Sequence, residues 1–278
     1  MTFNALEVSS YDSEPYHLYE FSNGFMTWRY TSSEYLVNQF SEVFVPEQIS
    51  HTEIGGTTEL NKQVLKVTVP RSNDIAQMFQ FYPPTGVVLL TIWECHHGDS
   101  EVVVVWIGRV RTTEYMGAHV EIQCEPISTS MRRLGLRRIF QRQCPHILYG
   151  QDEGGCLVDP EAFKVIATVS SVSGLVIAVS GMLTANSFNG GMMSWTSSIG
   201  LQYRFITSND ATTLSVNFPF MPPGDTYGRD LEVGTSINLY PGCNHTLTDC
   251  IEKFNNLDNY GGQPFMPLDN PFNGATLY

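Results

Sequence analysis

Residues 86–107 read Gly86-Val-Val-Leu-Leu-Thr-Ile-Trp-Glu-Cys-His-His-Gly-Asp-Ser-Glu-Val-Val-Val-Val-Trp-Ile107. Two apolar runs rich in valine, isoleucine and tryptophan flank a short polar turn at His97-Gly98-Asp99. β-Branched and aromatic residues favour strands, and two such runs joined by a short turn make an antiparallel hairpin. Pro83-Pro84 bounds the first run on its N-terminal side. The pattern extends both ways. Phe21 to Arg29 turns at Asn23-Gly24, Val64 to Val69 is a strand stopped by Pro70, and Thr113 to Cys124 is another. Short turns between apolar runs predict an antiparallel meander over residues 1–126, the first of two β domains of barrel or sandwich type. Short helices are expected at Ser33 to Glu42 and at Ser72 to Phe79, where Ser72-Asn73-Asp74 forms a capping cluster.

The strand pattern returns over residues 160–240. Phe163 to Val169 and Leu175 to Val179 are expected to pair with Met192 to Thr196, Gln202 to Thr207 and Ile237 to Tyr240. Gly190-Gly191, Ser208-Asn209-Asp210 and Pro222-Pro223-Gly224 read as turns. Thr248 to Asn256 is a short helix candidate. The segment Tyr260 to Tyr278, rich in Gly, Pro and Asn, should be irregular, since its prolines suit neither a helix nor a central strand. Its Tyr260, Phe265, Met266, Leu268, Phe272 and Leu277 are costly to leave in water, so it is expected to pack back across the second domain.

Between the two β regions, residues 127–143 hold five of the eleven arginines, Arg132, Arg133, Arg137, Arg138 and Arg142. Ser128-Thr129-Ser130 can cap a helix, so this stretch reads as a basic helical junction. A second domain, 144–278, then carries the β-rich insert 160–240.

The chain of 278 residues has 42% hydrophobic and only 15% charged residues, with a net charge of −13. It has ample apolar material for a core, and too little charge for disorder. A general nucleic-acid binder needs a basic footprint that this chain lacks. A free monomer usually carries about 25% charged residues, and a surface this poor in charge is one that other subunits cover. The first residues, MTFNALEVSSYDSEPYH, have neither the basic nor the apolar region of a secretory signal. Val165 to Leu183 is broken by Ser170, Ser171, Ser173 and Ser180 and is a poor membrane span, so no membrane insertion is expected.

Cysteines carry the chemistry. Cys144 and Cys156 stand with eleven residues between them, in Gly-rich surroundings, and Cys243 and Cys250 with six. Cys243 comes 87 positions after Cys156, so the two pairs bracket the β insert. Four thiolates converging from two loops can make a tetrahedral zinc site or hold an iron–sulfur cluster. Two disulfides, or unconnected buried thiols, are the other readings. His146 and His245 each follow a cysteine by two positions, as mixed zinc ligands or as hydrogen-bond partners of sulfur. Cys95 and Cys124 fall in strands and read as small core or edge residues. His96-His97-Gly98-Asp99 would need a carboxylate or nucleophile in reach to act as a metal or hydrolase site. No phosphate loop, nucleophile elbow or His-Glu-x-x-His helix is present.

The order Cys144-x-His146, Gly155-Cys156-x-x-Asp159, a β insert, Pro241-Gly242-Cys243, Cys250, then Lys253-Phe254-x-Asn256-x-x-x-Asn259-Tyr260-Gly261-Gly262-x-Pro264-x-x-Pro267 resembles the C-terminal half of baseplate or tail-tip hub proteins. These belong to phages with long non-contractile tails and to gene transfer agents. The likeness runs over roughly residues 125–272 in motif order. Asp152-Glu153 departs from it, standing where a short basic or Gly-rich loop is the rule. The resemblance implies a [4Fe–4S] cluster on Cys144, Cys156, Cys243 and Cys250, with zinc as the alternative cofactor. It implies a virion structural protein rather than an enzyme: a homotrimer between tail tube or distal tail proteins and the central tip protein. DNA would pass in the lumen, and assembly would take place in the host cytoplasm. The competing reading is a β-rich enzyme or binding domain unrelated to phage, with zinc on the four cysteines. Arg142 is the expected counter-charge of the cluster, and the arginine run is expected at subunit contacts or facing the lumen.

Overall fold

The computed structural model describes residues 3, 7–9, 14–54, 64–99, 101–132, 135, 139–221, 223–225 and 229–267. Contacts divide the chain into two units, Met1–Arg133 and Leu134–Tyr278. Both are built of strands.

The first unit holds β1 (Pro15–Ser22), β2 (Thr27–Thr31), β3 (Val37–Gln39), β4 (Glu42–Pro46), β5 (Ser50–His51), β6 (Leu65–Pro70), β7 (Leu89–His96), β8 (Val102–Met116) and β9 (His119–Pro126). They form one sheet in the order β3-β4-β2-β1-β7-β8-β9-β6-β5. All neighbours are antiparallel except β2 and β4. The opening hairpin is the centre of this sheet. Leu90 and Ile92 of β7 are buried, as are Val67 and Val69 of β6 and Val120, Ile122 and Cys124 of β9. Each set repeats every second residue, the spacing that puts side chains on one face of a strand. α1 (Asp74–Met78) starts at Asn73, whose side chain accepts the Ile75 amide, and buries Ile75, Ala76 and Met78.

Two expectations are corrected here. The helix at Ser33 to Glu42 is instead the β3–β4 hairpin, with Gln39 paired to Glu42. Phe40 and Ser41 form its two-residue loop, at φ 56° and 62°. Thr113 to Met116 belong to the end of β8, not to the following strand, and pair with β9 through a register shift between Val110 and Thr112.

Of the basic helix expected over Ser128 to Gln143, Ile127–Arg132 form a 3-10 helix and residues 139–143 are irregular. Residues 133–134 and 136–138 lie outside those described. The Thr129 and Ser130 hydroxyls donate to the carbonyls of Pro126 and Ile127. Such bonds to the residue three back favour a tight local turn over a continuing helix.

The second unit contains a closed barrel of β10 (Val165–Ser173), β11 (Val176–Ser180), β12 (Met192–Ser197), β13 (Gly200–Asn209), β14 (Thr213–Val216) and β15 (Ser236–Tyr240). Their order is β10-β11-β14-β13-β12-β15. Its core includes Val169, Ile177, Met193, Trp195, Ile206, Leu214 and Ile237. Along β13 the polar Gln202 and Arg204 are buried while Leu201, Tyr203 and Phe205 are exposed. The Arg204 guanidinium stands 5.2 Å from the Trp195 ring centre and 5.9 Å from that of Phe220, which accounts for a cation among apolar rings. β10 and β15, the first and last strands of the barrel, pair from Val165–Leu239 to Thr168–Ser236. The chain therefore leaves the barrel where it entered, and the loops holding the four cysteines meet there. α2 (Leu247–Glu252) follows, capped by the Thr246 hydroxyl on the Asp249 amide.

Candidate metal centre

Cys144, Cys156, Cys243 and Cys250 line one pocket, with His146, His245, Phe254 and Asn256. Each reaches it from a different local structure. Cys144 lies in an irregular segment, and its amide donates to the His245 carbonyl at 2.9 Å, tying the first cysteine loop to the second. Cys156 sits between Gly155 and the left-handed Leu157 (φ 55°), whose amide donates to Gly150 at 2.9 Å. Cys243 follows the Pro241-Gly242 turn. A side chain at position 242 would run into the Asn189 carbonyl, so only glycine lets the two backbones meet there. Cys250 lies on α2 and is buried.

The surrounding core is aromatic: Tyr149, Tyr240, Phe254 and Phe163, with Cys156 and Cys243 packed against it. Tyr149 donates its hydroxyl to the Pro241 carbonyl at 2.6 Å. Four non-glycine residues around the pocket hold left-handed backbone: Tyr149, Leu157, His245 and Asn255, with φ from 48° to 62°. Such conformations cost on the order of 1–3 kcal/mol each and persist where surrounding structure imposes them, often at ligand sites.

Donors converge on the sulfurs. The His245 amide points to Cys243 Sγ at 3.3 Å, the Gly261 amide to Cys144 Sγ at 3.5 Å, and the Asn256 amide group to Cys156 Sγ at 3.9 Å. Asn256 Nδ2 also donates to the Cys156 carbonyl at 2.6 Å. Burial raises the Cys250 thiol to about 11, with the charges of Cys144, Cys156 and Cys243 adding to the shift. Burial likewise raises Cys243, against the His245 amide, which lowers it. These sulfurs thus sense one another across the pocket, yet no three of them lie within 4.8 Å of each other. A zinc–thiolate bond of about 2.3 Å would bring tetrahedral sulfurs to roughly 3.8 Å apart. Holding one zinc would draw these sulfurs together, and N–H groups aimed at sulfur suit any buried anionic thiolate centre, single ion or cluster.

His146 and His245 have separate roles. His146 Nδ1 is 3.0 Å from the Asn259 carbonyl, which can only accept, so Nδ1 carries the proton. His245 contributes its backbone. The expected counter-charge is corrected: the Arg142 side chain is exposed, and its carbonyl accepts the Tyr260 hydroxyl at 2.8 Å. The cation on which the Cys243 charge acts is Lys253, half-buried, whose ammonium donates to the Gly242 carbonyl at 2.6 Å and to that of Ser187. Cys95 and Cys124 are buried in β7 and β9 of the first unit.

Residues 260–267 cross the Cys144 segment, with the Gln263 amide on the Gln141 carbonyl at 2.8 Å and Gly261 against the His146 ring. A Cβ at Gly261 would strike that ring. Phe265 departs from expectation, being 93% exposed. Leu268, Phe272 and Leu277 lie outside the described residues.

A family model described as phage conserved hypothetical protein BR0599 matches residues 186–270, which include Cys243 and Cys250. An uncharacterized protein of Xylella fastidiosa (strain 9a5c) is 24% identical over 187 residues, 63% of this chain. The chain spans 39% of that relative's length. A solved structure, the virion of a native gene transfer agent particle, holds a chain that superposes with a TM-score of 0.72 at 14% identity. That match covers 99% of this chain and 97% of the other. The phage and gene transfer agent resemblance read from the motifs is thus found again, in sequence with a phage protein family and in fold with a chain of a gene transfer agent virion.

Proposed function

We propose that the chain is a virion structural protein of a phage-type tail, a hub between the tail tube and the central tip protein, built around a [4Fe–4S] cluster held by Cys144, Cys156, Cys243 and Cys250. It works as a homotrimer without enzymatic activity, assembled in the host cytoplasm and carried in the tail, with DNA passing in the lumen. The observation that carries this reading is the pocket. Four cysteines from two distant stretches line it, met by N–H donors. The fold likeness to a chain of a gene transfer agent virion supports the setting.

The cluster's role here is a cross-link. It closes the loop from Cys156 to Cys243, and a clip gains most when the closed loop is long. The chain's own groups orient and shield: Asn256 and Lys253 fix the two cysteine loops, and residues 260–267 cover Cys144.

Anaerobic purification with iron, sulfide and zinc analysis is the test. Four irons and four sulfides per chain in a brown protein are expected, and Cys156→Ser should lose them. One zinc per chain, with no sulfide, overturns the cluster and favours zinc on the four cysteines. Faster bleaching in air after removal of residues from Gly261 onward is expected if that segment shields the site.

A further inference from the structure

The His96-His97-Gly98-Asp99 turn lacks a partner carboxylate in the sequence. The fold supplies two. Glu94 stands two residues before His96 on β7, and the period of a strand puts both on one face. Glu7 reaches them from outside the sheet, its Oε2 3.0 Å from His96 Nε2. One ligand atom from each of Glu7, Glu94 and His96 lies within 4.8 Å of the other two. His97 and Asp99 do not join them. His97 stacks on Tyr16, and the Asp99 amide caps the turn on the His96 carbonyl.

We propose that Glu7, Glu94 and His96 form a second metal site, for one first-row divalent cation of the manganese-to-zinc class, with water completing its coordination.

The bland alternative is a simple histidine–glutamate pair. Two features go beyond it. First, His96 is completely buried, packed edge-on against Phe3 at 5.0 Å between ring centres, while its Nδ1 meets no hydrogen-bond partner. Burial fixes the ring with its Nε2 on the carboxylate side. Second, Glu94 adds another carboxylate to the same spot. Together the three side chains offer one imidazole nitrogen and two carboxylates to one point in space. One nitrogen and two carboxylates suit the manganese-to-zinc class. Calcium takes six to eight oxygens, and magnesium keeps most of its water. Bound there, the ion would fasten Glu7 to β7, a role separate from the four-cysteine pocket in the other unit.

Manganese is the probe, because soft thiolates select other metals and the cysteine pocket will not report on it. Mn2+ is titrated into the full-length protein and the electron paramagnetic resonance of the free ion followed. One saturable site per chain is expected, with zinc displacing the manganese. Glu7→Gln and Glu94→Gln should each weaken binding by about tenfold or more, the least expected for a lost ligand when lost supporting partners already cost that much. Glu34→Gln, an exposed surface change, should leave it unaltered. Saturating Mn2+ should also raise the melting temperature of the wild-type chain and not that of Glu7→Gln, whose side chain is half exposed and whose loss spares the core. The proposal is overturned by weak, unsaturable uptake alone, as expected of a net charge of −13, or by both variants binding as the wild type does.

Discussion

Lys253 shows what a single side chain contributes to the cysteine pocket. Its ammonium ties the Ser187 carbonyl, at the edge of the barrel, to the Gly242 carbonyl beside Cys243. Lys253→Met keeps the stem and removes both bonds. Stranding a buried acceptor costs about 1–3 kcal/mol. For a chain of this size that lowers the melting temperature by roughly 2–4 °C per kcal/mol, which calorimetry of the apo protein will read. A pH effect follows from the thiols. Cys250 and Cys95 are both raised from 9.0 to about 11, chiefly by burial. Between those values the unfolded chain ionises its thiols and the folded one does not. The folded state then holds more protons, so apo stability is present below about 9 and declines as pH rises toward about 11. Melting curves over that range should move downward, and a flat profile would contradict the burial. The cysteines, Gly242 and Gly261 were visible in the sequence. Lys253 was part of the motif but its role was not legible, nor were the left-handed Leu157 and His245, because nothing in those residue types announces a buried ammonium or a positive φ.

Among the elements, the β3–β4 hairpin is the instructive failure of local reading. Two-residue hairpin loops of the preferred kind put both residues at positive φ and usually carry Asn-Gly. Here Phe40-Ser41 take those angles, and Phe40 rests 5.6 Å from Trp93 between ring centres. Tertiary packing holds a turn that the residues themselves disfavour, and the pattern Ser33 to Glu42 therefore looks helical. Ser41→Gly should relieve a strain of about 1–2 kcal/mol, less glycine's larger loss of chain entropy. A modest rise in the urea midpoint with an unchanged slope is expected, while a fall would mean that the loop is not strained. β14 was missed for a simpler reason: four residues, Thr213 to Val216, are too few to show a period. The longer runs of β7 and β10 were legible because their apolar pattern is imposed by the core itself. α1 was legible from its Asn73 cap.

For the molecule as a whole, low charge and a displayed apolar surface go together. Exposed large hydrophobic side chains occur in both units, among them Tyr35, Leu36 and Phe81 in the first and Phe140, Ile166 and Phe205 in the second. Obligate interfaces are richer in apolar area than ordinary surfaces. Sedimentation of the cluster-loaded protein should give the mass of three chains. A stable monomer at high concentration would count against the hub assignment. Motif order over the second half pointed to the phage resemblance, while convergence of the cysteines could not be read from their spacing. It depends on a barrel that returns the chain to its start. The antiparallel pairing of Val165 with Leu239 puts entry and exit about 4.5–5.5 Å apart. In topological terms the barrel is a cassette. Its far end can be lengthened or reshaped without moving the cysteine loops, provided the Ser187–Asn189 edge that meets Lys253 and Gly242 is kept, so what the barrel touches is free to vary over an inherited four-cysteine base.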